Sequence, residues 1–466
     1  MSCRATVAQL SEILGATLVN PSNIVGSIPA AGITTDTRSL QPGEVFLALR
    51  GEKFDGHNFI GTAVDKGAIA AIVDAQFPVL DFGFDGQNSK FSLLQVSDTL
   101  QAYQAIARWW RDQFTIPVIA ITGSVGKTTT KELIAAVLST PHTPHPTPHI
   151  LKSQANYNNE IGVPKTLLQL SPEHDYAVIE MGMRGLGEIA LLTQIARPDI
   201  AVITNVGTAH IERLGSEAAI AQAKCELLAE MPPSGIAILN HDNPRLMKTA
   251  ATVWQGKTLT FGLEGGDIHG QLINPEVLVV ENHSFPLPLP GRHNAINYLA
   301  ALAVAKAVGI DWSLLTHGIT VDLPSGRAQR HELPEDVVIL DETYNAGLES
   351  MLASLQMLAE TPGQRRIAVL GTMKELGERS PEFHQKVGAR VQQLNLDGLL
   401  ILADEAEAEA MAAGSTPLAA ERFATHADVV TRLKELVKPG DRLLFKASRA
   451  VGMDRVVEQF RKEFRS

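Results

Sequence analysis

A glycine-bounded loop followed by lysine and threonine is the clearest chemical signal in the sequence. Residues 118–123 form an apolar, β-rich run ending at glycine, and Gly126, Lys127 and Thr128 lead into a helix-forming sequence. Glycines at such a turn let backbone N–H groups surround phosphate oxygens, and the helix dipole favours the same anion. Lys127 would reach the β/γ-phosphates of a nucleotide, and Thr128 would contact Mg²⁺. The spacing is shorter than in the usual phosphate-binding motif, because Ile121 stands five positions before Gly126, so an ordinary β–α turn is the alternative.

Two further polar residues follow strand-like runs. Glu180 ends the run 175–180, and His210 follows the run 199–205. In an open α/β sheet, ligands bind at the carboxyl ends of the strands, so both side chains should converge on the phosphate loop. Glu180 could hold Mg²⁺, directly or through water. The alternatives are a carboxylate that faces solvent and a histidine with a structural role.

Lys224 occupies an unusual place in a helix-like segment, 216–231. Its apolar stripe comprises Ile220, Ala223, Leu227, Leu228 and Met231. At 100° per residue, Lys224 lies about 40° from Ile220, inside this stripe. Burial would lower the pKa of the amine. The alternative is a lysine that snorkels from the edge of the stripe.

The sequence around these residues divides into three blocks. We expect domains at 1–98, 99–325 and 326–466, with Asp98 capping the helix that opens the second. The second and third blocks alternate β-rich runs with helical patterns, which predicts parallel sheets of the α/β class, the third being Rossmann-like. The stretch 81–90 reads as a loop. The insert 141–149 contains three histidines, which could suggest a metal site, but its prolines favour an extended linker.

Composition narrows the class of protein. The chain has 466 residues and a formal charge of −11, and 45% of its residues are hydrophobic. The negative charge disfavours general binding of nucleic acid. Two cysteines cannot form a disulfide framework, and we see neither a signal-peptide pattern nor an apolar run long enough to span a membrane. These features predict a soluble, cytoplasmic, multidomain protein.

The ordered set of motifs resembles the Mur ligase family of peptidoglycan synthesis along nearly the whole chain. The motifs that carry the resemblance are TDTRS (35–39), GEKFDGHNF (51–59), ITGSVGKTTTKE (121–132), QANYNNEIGVPKTLL (154–168), AVIEMGMRGLGEI (177–189), TNVGTAHIERLGS (204–216), AQAKCELL (221–228), GRHNAINYLAA (291–301), LDETYNAGLESM (340–351), VLGTMKELGE (369–378) and FKASRAVGMD (445–454). The resemblance implies three α/β domains: a small one for a nucleotide-sugar substrate, a central ATPase and a C-terminal Rossmann-like domain for an incoming dipeptide.

The resemblance also implies the nucleotide and metal sites. The residues implied to contact ATP are Gly123, Ser124, Val125, Gly126, Lys127, Thr128, Thr129, Asn294, Asn297, Arg327 and Asp341. Thr128 and Glu180 would hold one Mg²⁺ and His210 a second. Lys224 matches the lysine that these ligases carbamylate, which would make it an anionic metal ligand beside His210. Lys127, His210 and Lys224 are the implied catalytic residues.

The substrates implied are a UDP-N-acetylmuramoyl tripeptide and D-alanyl-D-alanine, joined through an acyl phosphate. Asp36, Thr37 and Arg38 resemble the uridine-nucleotide segment, and Asn158 or Asn159 would approach the same substrate. Tyr344, Asn345, Ser448 and Arg449 would lie near the dipeptide. The family commonly has Lys-Gly-Ser-Arg-Gly where this chain has Lys446-Ala-Ser-Arg-Ala, which leaves the backbone geometry there open. We expect a monomer with no nucleic-acid partner and no membrane insertion.

Two alternatives remain at this point. Another amide ligase of the same superfamily would carry many of the same motifs, and residues 242–245 imitate a diaminopimelate-reading motif of one such ligase. We interpret them as a strand-end turn in which Pro244 ends the segment. A phosphate-loop ATPase without ligation is the other alternative, which the polar run 341–345 disfavours. The third residue of the tripeptide, diaminopimelate or lysine, stays open.

Overall fold

The protein is described by a computed structural model that covers residues 3–19, 28–52, 54–78, 91–141 and 147–464. Within these ranges the strands form sheets of five, nine and six strands, spanning residues 17–96, 118–286 and 329–446. Each sheet lies inside one predicted domain, while the boundaries themselves stay predictions. The predicted loop at 81–90 and residues 142–146 of the predicted linker lie outside the described residues. No helix in the described ranges is long and apolar enough to cross a membrane.

The first sheet has the strand order β1-β5-β4-β3-β2, and only β1 is antiparallel to its neighbour. Its elements, in chain order, are α1 Val7–Leu14, β1 Thr17–Val19, β2 Ile33–Thr34, β3 Val45–Leu47, α2 Ile60–Asp65, β4 Ala70–Asp74 and β5 Ser92–Val96. Helix α3, Thr99–Arg111, follows it. The predicted cap of α3 is confirmed, since the Asp98 carboxylate accepts the backbone N–H groups of Leu100 and Gln101 at 2.8 and 3.0 Å.

The central sheet is parallel through most of its width. From β7 to β12 its order is β12-β11-β10-β9-β6-β8-β7, and all these pairs are parallel. The elements are β6 Val118–Thr122, α4 Lys127–Leu138, β7 Ile150–Lys152, α5 Gly162–Leu167, β8 Tyr176–Glu180, α6 Glu188–Ala196, β9 Ile200–Ile203, α7 Ile211–Leu214, α8 Glu217–Ala229, β10 Ile236–Asn240, α9 Pro244–Val253, β11 Lys257–Gly262 and β12 Ile268–Asn274.

Helices cover both faces of this sheet. Along β6, Val118 and Ala120 pack in one apolar cluster with α3, α6 and α8, whereas Ile119 and Ile121 pack in another with α4. Side chains alternate between faces along a strand, so a strand that is apolar at every position must be buried on both sides. The predicted α/β class is confirmed, and the carboxyl ends of β6, β8 and β9 meet at one edge.

Two local features differ from the sequence predictions. Strands β13 Val277–Val280 and β14 His283–Pro286 extend the central sheet as antiparallel strands, and helix α10 Arg292–Ala307 follows them. The interpretation of Pro244 as the end of a segment is wrong: it is the first residue of α9, where its missing N–H costs nothing. The Asn243 side chain caps this helix by accepting the N–H of Leu246 at 2.9 Å.

The third sheet has the order β15-β16-β20-β17-β18-β19, parallel except for β15. Its elements are β15 Gln329–Leu333, β16 Val337–Asp341, α11 Leu348–Glu360, β17 Arg366–Gly371, α12 Ser380–Gln393, β18 Gly398–Leu402, α13 Glu405–Gly414, β19 Glu421–Arg422, α14 His426–Leu436, β20 Arg442–Lys446 and α15 Met453–Phe464. This is the Rossmann-like arrangement expected for the third block.

Candidate active site

The predicted phosphate loop joins β6 to α4 at the edge where the central strands end. Gly126 is the residue before α4 and has a left-handed φ of 82°, which favours glycine. A Cβ on Gly126 would also lie 2.6 Å from Oδ1 of Asn297, which belongs to α10. The loop therefore needs glycine at this position for both its conformation and its packing.

Residues after β9 brace this loop. The Thr204 hydroxyl donates to the carbonyl oxygen of Val125 at 2.6 Å. The Asn205 side chain pairs with both backbone groups of Val125, each at 3.0 Å, and the N–H of Gly207 donates to Ser124 Oγ at 2.8 Å. The sequence prediction missed Thr204 and Asn205 as site residues. Their place directly after a central strand was the available signal.

Lys127, Thr128 and Glu180 converge as predicted from their strand ends. Thr128 Oγ1 donates to Glu180 Oε2 at 2.9 Å, and Asn158 donates to the other carboxylate oxygen at 2.9 Å. Lys127 donates from Nζ to the carbonyl oxygen of Gly123 at 2.8 Å. Burial lowers the pKa of Lys127; the Glu180 carboxylate counteracts this and the charge of Arg327 adds to it. A partly buried cation thus stands beside a carboxylate–hydroxyl pair.

His210 has its closest partner in the third domain. Its Nδ1 lies 2.5 Å from Glu375 Oε2, and this hydrogen bond lowers the pKa of Glu375. The His210 backbone has a φ of 65°, a left-handed conformation that is uncommon outside glycine and typical of functional positions. The sequence prediction placed His210 at the strand end but gave no sign of Glu375.

Lys224 is buried, with 1% of its surface exposed. The helix-wheel prediction that it lies among apolar residues is therefore confirmed. Burial lowers its pKa well below the usual range, and the charge of Lys127 lowers it further. The neighbouring Cys225 opposes this lowering, but within the described chain the ammonium has neither an ion pair nor a hydrogen bond.

Asn294 and Asn297 are both buried near the start of α10. Asn294 donates to the carbonyl oxygen of Pro290 at 2.7 Å, and Asn297 donates to Asn294 Oδ1 at 3.5 Å. The contact of Asn297 with Gly126 puts this end of the helix directly against the phosphate loop.

The third domain presents a cluster of cationic and aromatic side chains. The Tyr344 ring has the guanidinium carbon of Arg327 3.9 Å from its centre and that of Arg449 5.8 Å away. Arg327 is close enough to Lys127 to lower its pKa, so this cluster faces the phosphate loop. The Asp341 carboxylate accepts the hydroxyl of Thr343 at 2.6 Å.

Residues at the end of β20 hold the backbone next to this cluster. Ser448 is buried, and its hydroxyl accepts the N–H of Lys374 at 2.9 Å and donates to the carbonyl oxygen of Ala346 at 3.3 Å. Lys446 donates to the carbonyl oxygen of Asn345 at 3.1 Å. Both residues thus fix the backbone that follows Asp341, and the Asn345 side chain stays exposed.

The predicted uridine segment lies at the end of the first sheet. Arg38 forms an exposed ion pair with Asp36 at 2.6 Å, and the hydrogen bond from Arg38 lowers the pKa of Asp36 to about 2. The charge of Lys165 on α5 also reaches Asp36, and the carbonyl oxygen of Thr37 accepts Lys66 Nζ at 2.7 Å. The structure does not bring this segment to the phosphate loop.

Asn158 and Asn159 face different partners. Asn158 is bound to Glu180, whereas Asn159 Oδ1 accepts the N–H of Gly162, the first residue of α5, at 2.9 Å. The Asn158 side chain therefore belongs to the Glu180 cluster, and that of Asn159 supports the local backbone.

The polar side chains of this site suit a nucleotide bound together with a hard divalent cation. Thr128 and Glu180 offer adjacent oxygen atoms, the ligand type that Mg²⁺ prefers. In the described ranges no three His, Cys, Asp or Glu side chains form a metal-binding group, so the protein alone supplies few ligands. Arg327 Nε is buried and lacks a hydrogen-bond partner within those ranges, which suits an anion such as phosphate.

Three sequence-family models match the chain. They are the Mur ligase family catalytic domain over residues 29–108, the Mur ligase middle domain over 121–305 and the Mur ligase glutamate ligase domain over 326–449.

Similar proteins extend over the full length. A Synechocystis protein named UDP-N-acetylmuramoyl-tripeptide–D-alanyl-D-alanine ligase is 56% identical over 459 residues, which cover 98% of each chain. An Escherichia coli protein of the same name is 37% identical, with 97% of each chain covered. The solved structure of MurF from Acinetobacter baumannii has a TM-score of 0.87 and 31% identity, with 99% of each chain covered. That of MurF from Thermotoga maritima in complex with ADP has a TM-score of 0.81 and 32% identity, with 93% of this chain and 97% of the other covered.

Proposed function

The chain belongs to the Mur ligase family, and we propose that it joins D-alanyl-D-alanine to a UDP-N-acetylmuramoyl tripeptide at the expense of ATP. The observation that carries this proposal is the 56% identity, over 98% of both chains, to the Synechocystis ligase of that name. The relative whose solved structure is a complex with ADP supports an adenine nucleotide as a substrate. The products would be the UDP-linked pentapeptide, ADP and phosphate, which makes this a step of peptidoglycan precursor synthesis in the cytoplasm, carried out by a monomer.

We assign the nucleotide to the loop 123–129 and to the residues that face it. Backbone N–H groups of the loop would bind the phosphates, with Lys127 neutralising their charge. Asn294 and Asn297 would lie toward the adenine. Arg327 and Asp341 would contact the nucleotide from the C-terminal domain, and the unpartnered Nε of Arg327 supports this assignment.

We assign the other substrates to the two outer domains. Asp36, Thr37 and Arg38 would bind the uridine nucleotide, with Asn158 on the path toward the reacting end. Tyr344, Asn345 and Arg449 would bind the incoming dipeptide, and Ser448 would hold their backbone in place. The two substrates would then approach the phosphate loop from opposite sides.

The reaction needs an activated carboxylate, because a carboxylate anion repels nucleophiles. The terminal carboxylate oxygen of the tripeptide would attack the γ-phosphorus of ATP, and ADP would leave. The amine of D-alanyl-D-alanine would then attack the acyl carbon and lose a proton, and phosphate would leave as the amide forms. Lys127 would stabilise the charge that develops during phosphoryl transfer. Closure of the domains would keep water from the acyl phosphate.

Mg²⁺ would neutralise phosphate charge when bound by Thr128 and Glu180. We further propose that His210 and a carbamylated Lys224 provide a second metal site. The buried environment of Lys224 supports this, because a lowered pKa leaves the neutral amine that reacts with carbon dioxide. The ammonium would first lose a proton, and the neutral amine would then add carbon dioxide and lose a second proton, which gives an anionic ligand.

The decisive test is a coupled assay of phosphate release with ATP, Mg²⁺ and UDP-N-acetylmuramoyl tripeptide. We expect release with D-alanyl-D-alanine and a product heavier by the dipeptide less one water. Release only with single amino acids would indicate another amide ligase of the family. Release without any acceptor, and a peptide of unchanged mass, would indicate an ATPase without ligation.

A further inference from the structure

A glutamate of the C-terminal domain is bonded to the central domain next to the phosphate loop. Glu349 lies in the first turn of α11. One of its carboxylate oxygens accepts the backbone N–H of Thr208 at 2.7 Å, and the other accepts the Thr208 hydroxyl at 3.2 Å. Thr208 is 4% exposed and Glu349 is half-buried, so this carboxylate is partly shielded from water and is held by two donors of one residue.

Gly207, the residue before Thr208, leaves room for this contact because it has no side chain. A Cβ on Gly207 would lie 2.4 Å from Glu349 Cδ and 2.6 and 2.8 Å from its two oxygens, and these are the three nearest atoms. Gly207 does not have a left-handed φ, so its backbone conformation alone does not require glycine. The missing side chain at position 207 is therefore what admits the Glu349 carboxylate.

The segment that Glu349 contacts is the one that braces the phosphate loop. Thr204 and Asn205 bind Val125, and the Gly207 N–H binds Ser124 Oγ. On the other side, α11 begins directly after the segment of Tyr344 and Asn345. The Glu349 carboxylate thus connects the backbone that braces the phosphate loop with the helix that follows Tyr344 and Asn345.

We propose that Glu349 is a positioning residue that docks the C-terminal domain on Gly207 and Thr208. The contact would fix the position of Tyr344 and Asn345, the residues proposed to bind the dipeptide, relative to the phosphate loop. Glu349 acts through the residues it orients and does not touch the reacting atoms. The consequence for turnover rests on the proposed ligase function, whereas the docking itself can be measured without turnover.

The test combines substitutions from both sides of the contact. Glu349→Ala removes the carboxylate, and Gly207→Ala fills its place with a methyl group. Because hydrogen bonds to a charged group are among the stronger ones, we expect each single variant to lower kcat/KM for D-alanyl-D-alanine about tenfold or more. In the double variant the methyl group has nothing to displace, so its kcat/KM should be no lower than that of Glu349→Ala alone.

Hydrogen exchange of the nucleotide-free protein gives the readout that is independent of activity. We expect Glu349→Ala to speed exchange in the segment 204–208. The control is Glu360→Gln at the other end of α11, where the hydrogen bond that the carboxylate accepts within the described residues comes from Gln356 of the same helix. This control should change neither exchange nor kinetics.

Three results would overturn the proposal. Unchanged exchange at 204–208 in Glu349→Ala would show that the contact does not order this segment. Fully additive losses in the double variant would show that Gly207 and Glu349 act independently. Should Gly207→Ala not fold, Thr208→Val removes only the hydroxyl bond, and wild-type kinetics in both Thr208→Val and Glu349→Ala would refute a positioning role. If no amine supports ligation, the exchange result still decides on docking.

Discussion

Replacing Lys127 by methionine distinguishes a catalytic role from a structural one, because a catalytic lysine should lose more activity than stability. The methionine keeps most of the apolar stem, so the change in stability comes from one hydrogen bond, that from Nζ to the Gly123 carbonyl at 2.8 Å. A hydrogen bond from a charged donor contributes about 1.5–3 kcal/mol net. The loss is offset in part, because burial already disfavours the charged ammonium and lowers its pKa. We expect the free energy of unfolding to change by about 2 kcal/mol or less.

The expected loss of activity is larger than this change in stability. Removing one charged donor from a site of developing negative charge costs roughly 10²–10³ in kcat, or about 3–4 kcal/mol. The assay is phosphate release with all three substrates, alongside thermal unfolding of the same preparations. Lys306→Met is the matched control, since Lys306 pairs with Glu281 at the exposed end of α10. A folded Lys127→Met enzyme with turnover within about tenfold of wild type would refute the phosphate-loop assignment, because that loss is below the range given for one such donor.

Three further predictions concern other parts of the protein. Asp341→Ala should raise the KM for ATP more than that for D-alanyl-D-alanine; equal changes in steady-state titrations would instead mean that Asp341 orders the domain junction. Lys224→Ala should lose activity and regain part of it when acetate is added to the assay, and full activity without acetate would rule out the carbamate. Arg111→Met should lower stability by about 1–3 kcal/mol, measured by urea unfolding, because its buried guanidinium donates to three backbone carbonyl oxygens that would lose this partner. The exposed Arg108→Met should change stability by less than about 0.5 kcal/mol, and an equal loss in both would contradict this account.

The phosphate loop could be predicted from the sequence because its chemistry is local. Gly126, Lys127 and Thr128 are consecutive, and the conformation that they need follows from a strand, a glycine and a helix in order. Glu180 is 52 residues away, yet its approach to Thr128 was also predictable, because parallel strands bring their carboxyl ends to one edge. The burial of Lys224 followed from helical periodicity alone.

Contacts between domains could not be predicted in this way. Glu349 and Glu375 lie 141 and 165 residues from their partners Thr208 and His210. No periodicity or strand-end rule relates positions on separate sheets, so only the docked structure shows these pairs. The antiparallel strands β13 and β14 were missed for another reason: the alternation of strands and helices that predicts a parallel sheet carries no information about hairpins added to its edge.

The distribution of buried lysines supports an anionic ligand at the phosphate loop. Lys131 is buried against Glu132 at 3.0 Å, and Lys446 lies 3.7 Å from Glu342, so each of these cations has a carboxylate partner. Lys127 and Lys224 have no carboxylate within ion-pair distance in the described chain, although the protein carries a net charge of −11.

Leaving both lysines without an ion pair is unfavourable in the isolated protein. Desolvation opposes both charged forms, and repulsion adds to it, from Arg327 at Lys127 and from Lys127 at Lys224. Phosphates bound at Lys127 would supply the missing negative charge at one of them, and carbamylation would remove the positive charge at the other. Phosphate binding at Lys127 and carbamylation at Lys224 would thus each relieve the cost of a buried, unpaired positive charge. Phosphate charge alone would stabilise the ammonium of Lys224 and repel a carbamate, so nucleotide binding and carbamylation would favour each other only where a cation lies between the two anions.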